Sequence, residues 1–230
     1  MRASELLTRR HILELSRVAG LTLASAGLLT SLPARAAADF AVPMDQLMAE
    51  GALPDIVEGS KDAPVTIVEY ASMTCPHCAH FHAEVFPTLK ARYIDTGKVR
   101  FILREFPLDA LAAAAFMIAR CGGAEKRDAI VGLLYAQQKT WAVPDDPAKA
   151  MLGVLKQAGF TQESFDACLK DSKLYDAVLK VRATASEKYK VESTPTFFIN
   201  GKKEPGAIPL EQLDQVLEPF LKAAPEKSAN

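Results

Sequence analysis

Cys75-Pro76-His77-Cys78 sets two thiols three positions apart, close enough to join in a small ring. Proline suits the first position of a helix, where its missing N–H would have no partner in any case. Cys75 would then cap the helix start, its sulfur within reach of the backbone N–H of His77 or Cys78. The positive end of the helix dipole falls at the same place, and a protonated His77 would add to it. All of these favour thiolate over thiol. A sulfur held this way is a good leaving group, so the dithiol is favoured and the disulfide tends to be passed on. Cys78, one turn inside, is the expected buried, resolving thiol. The chemistry is thiol–disulfide exchange, with no cofactor and no metal.

Two other readings use the same residues. A C-x-x-C ring can be a purely structural disulfide. It can also be part of a zinc site: the three histidines beyond residue 36, His77, His80 and His82, all lie beside it, and Cys78 and His82 are four apart on one helix face. No second cysteine pair completes a tetrahedral set; Cys121 and Cys168 would do so only if the fold brought them near. His80 and His82 are otherwise expected as solvated helix residues. Trp141, Met117 and the phenylalanines read as core. Unfolded substrates present apolar segments, so apolar surface is expected around Cys75, with Met73 and the Pro195 loop as its candidates.

The elements that must position these groups are readable. Val65–Tyr70 is a β-branched run after Pro64 and predicts a buried strand. A helix is expected from about Cys75 to Tyr93, then a turn at Thr96-Gly97-Lys98 and a second strand over Val99–Phe106. Such a β-α-β unit implies parallel pairing with a right-handed crossover. From Pro107 to about Tyr175 only helical patterns occur: Leu111–Cys121, Ala124–Gln138, Ala148–Ala158 and Ser164–Lys170, with a cap or turn at Thr161–Ser164. A long helix over Leu174–Tyr189, a strand over Thr194–Ile199, a hairpin turn at Asn200-Gly201, a partner strand over Lys203–Ala207 and a last helix over Leu210–Leu221 complete the chain. The class is α/β: a sheet unit interrupted by a helical insertion.

The whole sequence, 230 residues, is 49% apolar and 24% charged, a globular composition. A formal charge of −1 and no long basic block argue against nucleic-acid binding. Residues 1–36 read as an address and not as fold. Arg2, Arg9, Arg10 and Arg17 precede a weakly apolar run over Val18–Leu32, and Ala34-Arg35-Ala36 fits a cleavage site. Thr8-Arg9-Arg10-His11 resembles a twin-arginine signal, with the general secretory route as the alternative; an uncleaved anchor is the other reading. Cleavage would remove five Arg and two Glu, leave 22 basic against 26 acidic residues, and keep all four cysteines. The expectation is a protein exported to the periplasm, not stably inserted in a membrane, where disulfide chemistry is ordinary. The expected organisation is a signal peptide (1–36), an N-terminal segment (37–63), a first sheet part (64–106), the insertion (107–175), a second sheet part (176–222) and a tail (223–230).

Val65–Tyr70, Cys75-Pro76-His77-Cys78 with Phe81, the helical block, and Thr194-Pro195-Thr196-Phe197 together resemble the DsbA-like disulfide oxidoreductases, which have a thioredoxin fold with an inserted helical domain. The likeness covers nearly the whole chain after residue 36 and is nearest to the bacterial versions with a second disulfide. It implies that Pro195 is cis and faces the active disulfide, so that the Thr194 backbone can pair with an extended substrate. It implies that Glu69, the polar residue in the first strand, is a buried acid that carries the Cys78 proton. Some members have a second acid where this chain has His82. The resemblance also implies a Cys121–Cys168 bridge, with 46 residues between its ends; two buried free thiols are the alternative. The implied activity is donation of the Cys75–Cys78 disulfide to reduced or unfolded exported proteins, by a monomer that a DsbB-type, quinone-linked membrane oxidase reoxidises. A reductase or isomerase on the same fold is the rival, and a metal-binding or chaperone-like module a more distant one. Isomerases of this class usually need a dimerisation domain, and 28 residues between the expected cut and Val65 are too few for one.

Overall fold

A computed structural model describes residues 40–223; the expected signal peptide, and the expected tail beyond its first residue, lie outside them. The described chain opens with one helical turn, α1 (Met44–Leu47), and a two-residue strand, β1 (Val57–Glu58), too short to leave a period in the sequence. β2 (Val65–Ala71) is buried at all seven positions. It lacks polar alternation because both faces of the sheet are covered.

Residues 76–94 are helical throughout, but not as the regular α-helix predicted from Cys75 to Tyr93. α2 (Pro76–His80) passes into a π-turn (Phe81–Val85), then α3 (Phe86–Leu89), then a second π-turn (Lys90–Ile94). Pro87 has no N–H to give the preceding turn, and its ring crowds the carbonyl four residues back. A widened turn relieves both.

β3 (Val99–Glu105) then runs parallel to β2, with Val65 opposite Val99 and Ala71 opposite Glu105. Glu69 therefore sits one position before Tyr70 on the face shared with Ile67 and Ala71, the face that packs on Phe81, Val85 and Leu89. The other face, through Val68, Tyr70 and Ile102, packs on Leu47, Ala185 and Tyr189.

The helical block follows as α4 (Ala110–Cys121), α5 (Ala124–Ala136), α6 (Gln138–Ala142), α7 (Pro147–Leu155) and α8 (Gln162–Leu169). Thr161 and Ser164 form a reciprocal capping box at the start of α8. Cys121 and Cys168 are bridged, which pins the end of α4 to α8. A buried ionic cluster ties the block to the sheet. Glu105 Oε1 accepts from Arg120 Nε at 2.7 Å and from Arg127 at 3.0 Å, and Arg127 also donates to the Leu103 carbonyl at 2.9 Å. Burial works against the Glu105 charge, but Arg127 and Arg120 hold its carboxyl below the ordinary range.

α9 (Ser172–Tyr189) is unbroken through the expected end of the insertion at 175. Leu174 and Val178 pack in the core of the helical block, whereas Val181, Ala185 and Tyr189 pack on the sheet. One helix thus serves both layers, and a boundary drawn from a change in pattern cuts it in two. β4 (Thr196–Ile199) and β5 (Lys202–Pro205) form the hairpin, with Asn200 at φ 46° and Gly201 at φ 86°. A side chain on Gly201 would also strike the Val42 carbonyl. A 3₁₀ turn (Leu210–Gln212) and α10 (Leu213–Lys222) close the described chain. The sheet order is β1-β3-β2-β4-β5, antiparallel except between β2 and β3.

The bridge joins positions 47 apart, so in the chain-entropy account its loss costs about 4 kcal/mol. The double variant Cys121→Ala/Cys168→Ala should unfold at a clearly lower urea concentration than the parent. An unchanged midpoint would mean that the bridge adds nothing to stability.

Candidate functional site

Cys75 ends the loop after β2, and Pro76 opens α2 at its first turn. The backbone places Cys75 as the cap residue, and its carbonyl accepts the first helical bond from Ala79 at 3.2 Å. Both cysteines are thiols here, Cys75 4% exposed and Cys78 fully buried. The Cys75 thiol makes no capping bond to the helix. It donates instead to the Thr194 carbonyl at 3.3 Å. The Thr194–Pro195 bond is cis, and both residues are buried.

The two sulfurs are treated in opposite ways. Hydrogen bonding from the Cys78 thiol lowers Cys75 to about 5, against partial burial, with further help from the Thr194 side chain and the backbone N–H groups of Cys78 and His77. Burial pushes Cys78 far up, and the nearby Cys75 and Glu69 add to that. A thiolate is thus held at the helix start, and a protonated thiol one turn inside. The His77 side chain is exposed, and the residue's help to the thiolate comes through its backbone N–H.

Glu69 has no exposed surface. Its Oε2 lies 2.8 Å from His82 Nε2, and its Oε1 has no partner. This corrects the expectation for His82, which is no solvated helix residue: its side chain is 7% exposed and stacks on Tyr135 at 4.5 Å between centroids, with Phe86 at 5.0 Å. The helical run presses that side against β2 and β3, and only Glu69 meets the ring's polar edge. His80 is exposed. Among the described residues no group of three or more His, Cys, Asp or Glu side chains gathers as ligands.

Met73 is the second correction. It is fully buried in the core and presents no surface to a substrate. The apolar surface beside Cys75 is a cleft of about 590 Å³ between Pro76 and the helical block, walled by Leu111, Ala142 and Val143, with Val143 74% exposed. Gln138, at the head of α6, went unnoticed in the sequence. Its buried amide donates to the carbonyls of Met73 at 2.8 Å and Cys75 at 3.0 Å. A lone Gln between two helical patterns carries no signal for such a role. Thr74 likewise donates to Asp109 at 2.7 Å, tying the cysteine loop to the start of α4. A larger cleft of about 690 Å³ opens on the Tyr70 side of the sheet. It is away from the sulfurs, and its buried charges are already paired, Arg104 with Asp55 and Arg120 with Glu105.

The mixed sheet, the cysteine pair at a helix start and the proline loop facing it define a thioredoxin-fold protein with a redox dithiol. The chain matches the Thioredoxin family over residues 52–219 and belongs to it. Within that family it is DsbA-like. It is 30% identical to α-DsbA1 of Wolbachia pipientis, with a TM-score of 0.70, over 77% of this chain and 96% of that one. BdbD of Bacillus subtilis shares the fold at a TM-score of 0.61 and 23% identity, over 74% of this chain and 94% of that one. A Rickettsia bellii protein, named provisionally as a protein-disulfide oxidoreductase, is 34% identical over 148 residues, which are 64% of this chain and 57% of that protein's length.

The sulfur geometry sets two expected outcomes. Ultraviolet titration of the reduced protein should show one thiolate forming near pH 5, absent in Cys75→Ser and displaced upward in Cys78→Ala. The folded value of Cys75 lies below that of an unfolded thiol. The reduced protein therefore gains stability over its disulfide form as pH rises from about 5 towards the ordinary thiol range, and loses it as pH falls through about 5. Urea unfolding of both forms at pH 4 and pH 7 measures this; a gap that does not change with pH would contradict it.

Proposed function

We propose that this chain is a thiol:disulfide oxidoreductase that donates its Cys75–Cys78 disulfide to reduced or unfolded exported proteins in the periplasm. The observation that carries the reading is the opposite treatment of the two sulfurs. Cys75 is held as a thiolate, with a value of about 5, while burial keeps Cys78 protonated. A dithiol stabilised in this way makes the disulfide the less comfortable form, so the disulfide is given away.

The reaction follows from the geometry. A substrate thiolate attacks Cys75 Sγ; the Cys75–Cys78 bond breaks, Cys78 takes the electron pair, and Glu69 supplies its proton in this reading. A second substrate thiolate then attacks the substrate sulfur of the mixed disulfide and expels the Cys75 thiolate. The substrate loses two electrons and the protein gains them. The buried Thr194 carbonyl, already in contact with Cys75 Sγ, is the group for an extended substrate strand to meet. The cleft beside Pro76 offers apolar wall to flanking side chains. The reduced protein then needs a disulfide acceptor of its own, and a DsbB-type, quinone-linked membrane oxidase fits that need. The protein acts as a monomer in this reading, delivered by the signal at residues 1–36. Among the described residues no helix is long and apolar enough to cross a membrane.

Equilibration with glutathione buffers, read by trapping and mass, should place the couple well above the thioredoxin range, and Cys75→Ser should lose all oxidation of a reduced dithiol peptide. A thioredoxin-like couple would turn the reading towards reduction. Full activity in Cys75→Ser would end it.

A further inference from the structure

Cys78 poses a problem that the sulfurs alone do not solve. Each time the disulfide opens, a desolvated sulfur one turn inside the helix must gain a proton, and each time it closes that sulfur must lose one. Glu69 lies on the face of β2 beneath it, and one of its oxygens has no partner. Yet Glu69 is fully buried and has no direct exchange with water. Its other oxygen is held by His82, one turn beyond Cys78, and His82 is the member of the pair that keeps some exposure.

We propose that His82 is the outward arm of the proton site serving Cys78, orienting the Glu69 carboxylate through Nε2 and exchanging the shared proton with solvent. The inference rests on the disulfide-exchange reading and adds a positioning residue to it. The aromatic packing explains how the ring keeps its aim: Tyr135 stacks 19° from parallel, and Phe81 and Phe86 lie 5.4 and 5.0 Å away. Nε2 is thereby committed to Glu69, and Nδ1 is the ring's other proton site. The titratable groups that bear on the pair are Cys75 and Cys78 from its own helical run, Tyr135 from α5 and Glu58 from β1.

The bookkeeping of the proton is simple. In donation, the substrate thiolate bonds to Cys75 Sγ, the disulfide breaks, and the pair gives one proton to the leaving Cys78 sulfur. It ends as carboxylate with neutral imidazole, and water restores the proton at His82. In reoxidation, the Cys75 thiolate attacks a disulfide of the oxidant, bonds to one of its sulfurs and releases the other as a thiolate. Cys78 then gives its proton to the pair, attacks Cys75 Sγ and expels the oxidant's thiolate. The two half-reactions therefore need the pair in opposite states and should respond to pH with opposite signs.

The test is single-turnover kinetics from pH 5 to 9, with a dithiol peptide for donation and oxidised glutathione for reoxidation, rates expressed per thiolate of the attacking reagent. The parent protein should donate more slowly, and close its mixed disulfide faster, as pH rises across that span. His82→Gln keeps a donor for Glu69 but carries no proton near neutrality. It should lose both inflections and slow the proton-dependent step on the order of 10²-fold, while the Cys75 thiolate titration stays in place. His82→Phe should do the same; if it fails to fold, the Gln variant still decides. Parent-like profiles in His82→Gln overturn the proposal. Failure of the parent itself to oxidise the peptide at any pH overturns the disulfide-donor reading, and this inference with it.

Discussion

One turn of helix separates two sulfurs that live in different electrostatic worlds, and the rest of the structure keeps that separation. Water solvates a thiolate, and a low-dielectric interior penalises it. Cys75 escapes that rule because the Cys78 thiol and the nearby peptide N–H groups of the helix start stabilise its charge. Cys78 obeys it, sealed between the helix and the sheet. Pro76 helps both, since it starts the helix at the residue that aligns the N–H groups without itself needing a partner.

The helical block does more than wall a cleft. A helix start leaves the preceding loop with carbonyls that turn inward, and buried carbonyls without partners are costly. Gln138 meets two of them with one amide, and Tyr135 reaches a third, that of Ser72, at 3.3 Å. The same tyrosine ring lies flat on His82. The cysteine loop, the Glu69–His82 pair and the insertion are in this sense one piece of packing, so the surroundings of the two sulfurs depend on helices outside the sheet.

Much of this was legible in the chain. A β-branched run, a proline inside a C-x-x-C pair, Asn-Gly after an apolar run and Thr-x-x-Ser at a helix start each dictate local backbone geometry, and each stands where its chemistry put it. The parts that were not legible depend on tertiary placement. His82 looks like a surface residue because helical spacing alone does not say which side meets a carboxylate; the π-turn at Phe81–Val85 shifts that phase as well. Met73 looks like an apolar contact near the active cysteine, but the loop after β2 turns it inward. Gln138 satisfies backbone groups 63 and 65 residues away, and nothing local reports that. α9 runs unbroken across position 175, so no local break marks where the insertion ends.

α9 also fixes how stiffly the two parts are joined. Its first half is built into one layer and its second half into the other, and Arg127, wholly enclosed, hooks the α5 end of the block onto two acceptors of β3. A hinge there would have to snap a continuous helix or strand a naked guanidinium in oil. The mouth beside Pro76 is accordingly a fixed gauge and not a jaw. If the protein donates its disulfide as proposed, accommodation falls to the visiting polypeptide, which favours chains still slack enough to lay a cysteine and its neighbours into that slot.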